Sequence, residues 1–414
     1  MKVLQVSDGY RPAIGGLERV VESLSRELVL RGIPTTVATL SRPDAPRREQ
    51  HCGVDIRRLD GYTRHLRRFA TDPAHLFHPT CPDPQLIARL QELVNELQPD
   101  VVHAHGWILN SCLSLRLPPR TALVATLHDY GLVCPKKTLI PYDSLDEACA
   151  GPALGRCIGC AGHGYGTMKG TALALGLWES RRRLGRVSMF LPISSAVASS
   201  SLAGVPSEKI CEVPSFIDDA VFEEARVTPR PSFLPPGNFI TFVGVLSEHK
   251  GVGLLLEAHR RMRAAIPLVL LGPPRSAVPR TRAAPDRPVI VRTDLSHRQI
   301  MACLAAATVA AAPSRWQEPL GLAAIEAMAA GTPIVVTRVG ALPQVIVDDR
   351  TGIVVDAHDP GALAEALDTI VGDPWLQWDY GLAGLQRAQR YTASAVVPQV
   401  VTAYERALVP AVAV

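Results

Sequence analysis

Aromatic residues are scarce, at 5% of 414, and neither sign of charge dominates: 43 Lys and Arg face 39 Asp and Glu, for a net charge of +4. A balance so mild makes no field for a polyanion, and nucleic acid is not an expected partner. Long apolar runs are missing too. The longest weakly apolar stretch, 301–313, is short, rich in alanine and unable to span a bilayer. No charged-then-apolar leader is legible, because Met1-Lys-Val-Leu-Gln-Val runs directly into Asp8 and Gly9. The expected compartment is the cytoplasm, where the nine cysteines stay reduced or hold metal instead of pairing.

What is present is aliphatic. Hydrophobic residues make up 47%, and 414 residues exceed one ordinary core, so two domains are expected. Val3-Leu-Gln-Val reads as a buried strand, and 17–31 as a helix with Val20, Val21, Leu24 and Leu28 on its inner face. Thr35–Leu40, Pro99-Asp-Val-Val-His-Ala-His, Ala122–Leu127 and Phe190-Leu-Pro-Ile read as further strands. A second series starts at Asn238-Phe-Ile-Thr-Phe-Val-Gly. It continues through Pro267-Leu-Val-Leu-Leu-Gly, Pro288-Val-Ile-Val, Val309-Ala-Ala-Ala-Pro and Pro333-Ile-Val-Val-Thr. Strand–helix alternation in both halves predicts an α/β protein with two doubly wound, Rossmann-like parallel-sheet domains. The Pro-rich stretch 227–237 is the linker candidate. Ligands of such sheets sit outside the carboxyl ends of the strands, so the domains are expected to face a central cleft.

The densest signal is Pro313-Ser-Arg-Trp-Gln-Glu318-Pro-Leu-Gly321-Leu-Ala-Ala-Ile-Glu326-Ala-Met-Ala-Ala-Gly331-Thr-Pro-Ile-Val-Val. Pro319 predicts a helix start and Gly331 its end. A helix start offers backbone N–H groups to a phosphate. Glu318 then falls in the loop and Glu326 in the helix. At helical rise their separation is about 12 Å, enough for a sugar, a diphosphate and a ribose. Carboxylates accept from paired hydroxyls, so one can hold a hexose and the other a ribose. Charged residues eight apart are common on surface helices; the full string carries the weight.

Other segments add chemistry. Gly15 and Gly16 lie between the first strand and the first helix, where they let backbone approach a ligand. His128-Asp129 ends one strand, and His103 and His105 end its neighbour. Lys250 precedes Gly251 in the loop that opens the second half, and its ammonium can neutralise a leaving diphosphate. Cys134, Cys149, Cys157 and Cys160 give C-x14-C-x7-C-x2-C. Four thiolates can close a tetrahedral structural zinc site and stabilise a loop without its own core. An iron–sulfur cluster and unligated or redox-active thiols are the alternatives. Cys52, Cys81, Cys112, Cys211 and Cys303 lack such spacing and read as buried apolar residues. Basic stretches at Arg57-Arg58, 64–69 and Arg181–Arg186 read as solvated faces, with peripheral contact to anionic lipid at the inner face of the membrane as a hypothesis.

Taken in order, the Gly-Gly loop, strand-end histidines, Lys-Gly loop and Glu-x7-Glu string resemble retaining glycosyltransferases of family 4, which have the GT-B fold. The resemblance covers nearly the whole chain. It implies an N-terminal acceptor-binding domain of residues 1–215 plus a C-terminal helix in 391–414 that crosses back onto it. Residues 216–390 form the nucleotide-sugar donor domain. It also implies transfer of a sugar from a nucleotide-diphosphate donor to a saccharide or lipid-linked acceptor, with no cofactor required, in polysaccharide or glycolipid assembly. Glu318 matches the residue that contacts the donor sugar and Glu326 the one on the ribose. Leu320, Gly321 and Leu322 supply backbone contacts, and Lys250, Gly15 and Gly16 face the diphosphate. His128 positions the reacting sugar, with His105 and Asp129 on the acceptor side. The chain departs at Val245, where the family usually has Arg. Gly340-Ala-Leu-Pro-Gln344 varies a family Gly-Gly-x-Pro-Glu turn, and no chemistry is assigned to it. An inactive nucleotide-sugar-binding partner protein and a nucleotide-sugar epimerase of the same fold remain alternatives.

Overall fold

The computed structural model describes residues 1–12, 15–62, 65, 78–145, 147–274 and 286–409. Of the basic stretch 64–69 only His65 falls within them. The chain divides into two compact units. Unit 1 comprises Met1–Asp143, Cys149–Ser215 and Val396–Val414; unit 2 comprises Ser144–Ala148 and Phe216–Ala395. The Pro-rich stretch 227–237 lies inside unit 2, past the division at Ser215.

In unit 1 seven strands form one sheet: β1 Val3–Ser7, β2 Thr35–Leu40, β3 Arg48–His51, β4 Val54–Leu59, β5 Val101–His105, β6 Ala122–Leu127 and β7 Met189–Pro192. Their order is β3-β4-β2-β1-β5-β6-β7. Every pairing is parallel except β3 with β4. β1, β2 and β5 are buried at every residue, as expected where helices cover both faces of a parallel sheet. The β3–β4 hairpin was not expected, because Arg48–His51 is polar and half exposed and carries no apolar run. The final helix, Ala393–Leu408, places Val396, Val397, Val400, Ala403 and Tyr404 in the interior.

Unit 2 holds β8 Ile240–Val243, β9 Leu268–Leu271, β10 Val289–Arg292, β11 Val309–Ala312, β12 Ile334–Thr337 and β13 Gly352–Val355. They pair in the order β10-β9-β8-β11-β12-β13, all parallel. That is the dinucleotide-fold order, and its direction reverses between β8 and β11. In unit 1 the reversal falls between β1 and β5. A crevice opens at the carboxyl ends of strands at such a point, so the loops after β8, β11, β1 and β5 are where a ligand belongs.

The helix after β11 runs Leu322–Ala329 and starts later than Pro319 suggested. Gly321 takes φ +93, a left-handed conformation that ends the loop and delays the helix. Glu318 and Glu326 are therefore not separated by eight residues of helix. Gly331 at φ +73 stops the chain turning further, as expected.

The loops after β8 and β11 meet backbone to backbone. Gly251 has φ +75, and a Cβ there would collide with the carbonyl of Pro313. Gly237 has a similar φ of +72 with open space around it. Thus Gly237→Ala should cost about 1 kcal/mol, from left-handed strain alone. Gly251→Ala should cost more, by about 1–3 kcal/mol, because the loop must also move. Urea melts of the two variants check this, and equal losses would refute the backbone contact.

Candidate active site

Unit 2 gathers its charged residues at the switch point. Lys250 ends a short 3-10 turn, Glu248–Lys250, after β8. Its Nζ lies 2.9 and 2.8 Å from the two oxygens of Glu318. Ser314 Oγ and Trp316 Nε1 both donate to Glu318 Oε2 at 2.9 Å. The Lys250 ammonium also stands 5.0 Å above the Trp316 ring. Glu318 is only 8% exposed. Burial works to raise its pKa, but the Lys250 charge and the three donors outweigh it, and the carboxyl sits below its ordinary range. The result is a desolvated carboxylate that stays ionised because a cation touches it.

The turn with no assigned chemistry holds this carboxylate's backbone. Ala341 N donates to Glu318 O at 2.8 Å, and Gly340 N to Gln317 Oε1 at 3.1 Å. Gly340 sits at φ +53, and a Cβ there would strike the Glu318 backbone. A glycine is needed for that approach, which a sequence reading of the motif alone does not reveal.

Glu326 is inside the helix, and its Oε1 meets His297 Nε2 at 2.8 Å. His297 Nδ1 lies 3.7 Å from Glu224. Sequence reasoning missed His297, which opens the helix His297–Ala305 behind a Ser296 capping box. Ser296-x-x-Gln299 was the legible signal for that helix. Leu320 is buried, Gly321 is the N-cap, and no side chain caps the helix that Leu322 begins. Val245 offers no cation. Arg315 lies against the 3-10 turn, its N donating to His249 O at 2.9 Å and its guanidinium 3.7 Å from Glu248.

In unit 1 a cavity is lined by Leu17, Trp107, Asn110, Thr126, His128 and Asp129, among others. It therefore joins the first turn of the helix after the Gly-Gly loop, the loop after β5 and the end of β6. Gly15 is the N-cap of the first helix, Gly16–Leu30, in extended conformation. A Cβ on Gly15 would press into the carboxylate of Glu18, whereas Gly16 has open space. Asp129 Oδ1 accepts from Gly131 N at 2.7 Å, and its Oδ2 lies 3.9 Å from Lys137 Nζ. Lys137 also reaches Asp8 at 3.9 Å. Asp8 accepts from Trp107 N and Ile108 N at 2.9 and 2.7 Å, tying the end of β1 to the loop after β5. Burial pushes its pKa up to about 6 against these favourable contacts.

His128 lines the cavity, but His105 stands behind it, 1% exposed. His105 Nδ1 meets His128 Nε2 at 2.9 Å, and its Nε2 meets Gln5 Oε1 at 2.6 Å. Both ring nitrogens are thus engaged within the protein, which corrects its expected place among acceptor contacts. His103 bonds Tyr404 and Thr126 at 2.7 Å each. Burial lowers all three rings: His103 to about 3, His128 to about 4, and His105 well below 6.5.

The expected zinc site finds no support. Among the described residues no group of three or more His, Cys, Asp or Glu side chains is placed to hold a metal ion. The thiols have local partners instead. Cys149 donates to Gly151 O at 3.7 Å, and Cys160 to Ile140 O at 3.8 Å while accepting from Lys136 at 3.6 Å. Cys134 is buried, which raises its pKa. Cys112 and Cys303 are buried as expected, but Cys52 and Cys81 are exposed. The basic residues are largely spent as well. Arg58 is buried against Glu49 and two carbonyls, and Arg57 pairs with Asp55 and Glu96. Arg186 donates to the carbonyls of Leu113 and Leu115. No helix among the described residues is long and apolar enough to cross a membrane.

Comparison with known proteins decides the family. Residues 14–221, half of the chain, match the profile of Glycosyltransferase Family 4, and residues 237–373 match that of Glycosyl transferases group 1. The chain belongs to glycosyltransferase family 4. This glycosyltransferase is 28% identical over 420 residues to a D-inositol 3-phosphate glycosyltransferase of Acidothermus cellulolyticus, covering 95% of this chain and 86% of that one. It is 31% identical over 255 residues to an alpha-maltose-1-phosphate synthase of Mycolicibacterium smegmatis, covering 55% of this chain and 66% of that one. A sucrose-phosphate synthase from Thermosynechococcus elongatus shares its fold at a TM-score of 0.71 and 21% identity, over 98% of both chains. The Anabaena HepE protein, solved with UDP, superposes at 0.66 with 16% identity, over 98% of this chain and 100% of that one. The fold is therefore GT-B.

The histidines give this glycosyltransferase an acid-labile interior. The unfolded chain protonates them near 6.5, whereas the folded rings at His103 and His128 stay neutral down to about 3 and 4. The unfolded state then binds more protons in that window, so stability is full above 6.5 and falls as pH drops below it. Asp8 acts oppositely: its pKa rises from 3.8 to about 6, so its contribution is lost as pH rises through that range. With His78 also lowered to about 4 by burial, four rings outweigh one carboxyl. The urea midpoint should fall between about pH 7 and pH 5, and His103→Gln should flatten that slope. An unchanged slope would mean the rings are not its source.

Proposed function

We propose that this family 4 enzyme moves a sugar from a nucleoside-diphosphate donor to a hydroxyl of a saccharide or lipid-linked acceptor, with retention at the anomeric carbon. Polysaccharide or glycolipid assembly is the setting proposed. The observation that carries the reading is the buried Lys250–Glu318 pair at the switch point of unit 2. A carboxylate kept ionised in a desolvated site is a strong acceptor for sugar hydroxyls, and the ammonium beside it is a ready partner for a phosphate. On donor binding Lys250 turns to the diphosphate and Glu318 to the sugar. Glu326 takes the ribose hydroxyls, and the amides at Gly321 and Leu322 add phosphate contacts. Gly15 and Gly16 remain candidate phosphate contacts by the resemblance of their loop. The Anabaena relative solved with UDP-glucose supports a donor of this chemical class.

In the reaction, the bond from the anomeric carbon to the phosphate oxygen breaks. The acceptor oxygen bonds that carbon on the same face, and its proton passes to the departing phosphate. The protein orients the partners and stabilises the separating charge. His128 and Asp129 stand on the cavity where the acceptor is placed. Peripheral contact with anionic lipid rests on Arg181, whose guanidinium lies 5.9 Å from the exposed Trp178 ring, and on Arg182, which pairs with Glu179. Flotation with vesicles rich in anionic lipid tests it, and absence of binding removes that part of the reading.

Thermal melts with UDP, GDP, ADP and dTDP sugars test the donor. One base series should stabilise the parent protein by mass action, and Glu326→Ala should lose the effect. Lys250→Met should lower kcat roughly 100-fold or more, as for removal of a charge-stabilising donor. Donor binding without turnover on any acceptor would instead favour the inactive partner protein, the reading Val245 motivates. No response from a folded sample would defeat the donor site itself.

A further inference from the structure

Five hydrogen bonds run without a break behind the unit 1 cavity. His128 Nε2 meets His105 Nδ1 at 2.9 Å, and His105 Nε2 meets Gln5 Oε1 at 2.6 Å. Gln5 Nε2 donates to the Tyr404 hydroxyl at 3.1 Å. The hydroxyl meets His103 Nδ1 at 2.7 Å, and His103 Nε2 meets Thr126 Oγ1 at 2.7 Å. Both ends, His128 and Thr126, line the cavity. The four groups between them, Gln5, His103, His105 and Tyr404, are fully buried, each at most 1% exposed.

One member of the chain has no choice of role. An amide oxygen only accepts and an amide nitrogen only donates. With Gln5 Oε1 on His105, the His105 proton must be on Nε2. A neutral His105 then offers a lone pair at Nδ1, and His128 must carry its proton on Nε2. On the other arm the Tyr404 hydroxyl accepts from Gln5 and donates to His103 Nδ1. His103 in turn donates from Nε2 to Thr126. Desolvation keeps all three rings neutral near pH 7, so each has one donor and one acceptor nitrogen.

We infer that Gln5 and His105 are positioning residues that fix His128 in its neutral Nε2–H tautomer, leaving Nδ1 as the acceptor it offers to a substrate hydroxyl. Tyr404 extends the device to the final helix, where its hydroxyl accepts from the Gln5 amide nitrogen. His128 is thus held as a fixed hydrogen-bond acceptor and does not serve as an acid. The effect on turnover rests on the transfer reading above; the tautomer does not.

The test uses the full chain labelled with 15N-histidine, with the His128 resonances identified by their loss in His128→Gln. The parent should show the Nε2–H tautomer at His128 near pH 7. Gln5→Met removes the amide that sets the direction and should convert it to a mixture of tautomers. An Nδ1–H tautomer in the parent, or an unaltered His128 in a folded Gln5→Met variant, would overturn the inference. Given an acceptor, Gln5→Met should lower kcat about tenfold, the equivalent of one lost hydrogen bond, with donor KM little changed. A shifted tautomer with unchanged kcat would overturn the positioning role. If the parent transfers to no acceptor, the functional reading fails, and the tautomer still decides the device.

Discussion

A buried carboxylate must be either protonated or paired, and at Glu318 the fold pairs it. That constraint organises the carboxyl end of the unit 2 sheet. Glu318 comes from the loop after β11 and Lys250 from the loop after β8, the two strands between which the sheet reverses direction. Removing one partner of such a pair costs about 3–5 kcal/mol, because the other charge is left desolvated. The neighbouring glycines follow from the same demand. Gly251 lets one loop reach the carbonyl of Pro313, and Gly340 lets a third loop lie against the Glu318 backbone. Ser314 and Trp316 complete the carboxylate's partners from within its own loop.

Unit 1 solves burial the other way. The hydrogen-bonded chain behind its cavity is neutral: three imidazoles, an amide, a phenol and a threonine hydroxyl, each satisfied by the next. No charge has to be desolvated there, and a directional chain of hydrogen bonds strengthens through mutual polarisation. The charged residues of this unit, Asp8, Asp129 and Lys137, meet one another at the mouth of the same loops. Unit 2 therefore holds an ion pair at its switch point, and unit 1 a neutral chain of hydrogen bonds behind its cavity.

Much of this was legible in the sequence. Strand–helix alternation predicted both parallel sheets, because fully buried strands read as unbroken apolar runs such as Leu268–Leu271. Arg48–His51 and Val54–Leu59, which lack such a run, were not found, nor was the short Gly352–Val355. Glu318, Glu326, Lys250 and His128 were singled out by ordered motifs, and the family assignment bears out the resemblance those motifs carried. The cysteine spacing gains no support, because among the described residues no three ligating side chains are placed to hold a metal ion. The helix start misled by three residues, because Pro319 was weighed and the left-handed backbone of Gly321 was not.

By itself the sequence determined the kind of elements, their order and the chemical groups available at strand ends. These depend on local propensity, hydrophobic period and residue identity, all carried by short windows of chain. Only the tertiary structure decided which groups meet. Gln5 and Tyr404 are 399 residues apart, and Lys250 and Glu318 are 68 apart. Ionisation and tautomer are properties of those meetings: they follow from desolvation and from the partner's lone pairs. His297 on Glu326, the retreat of His105 behind His128, and the neutral state of the buried rings are all of that kind.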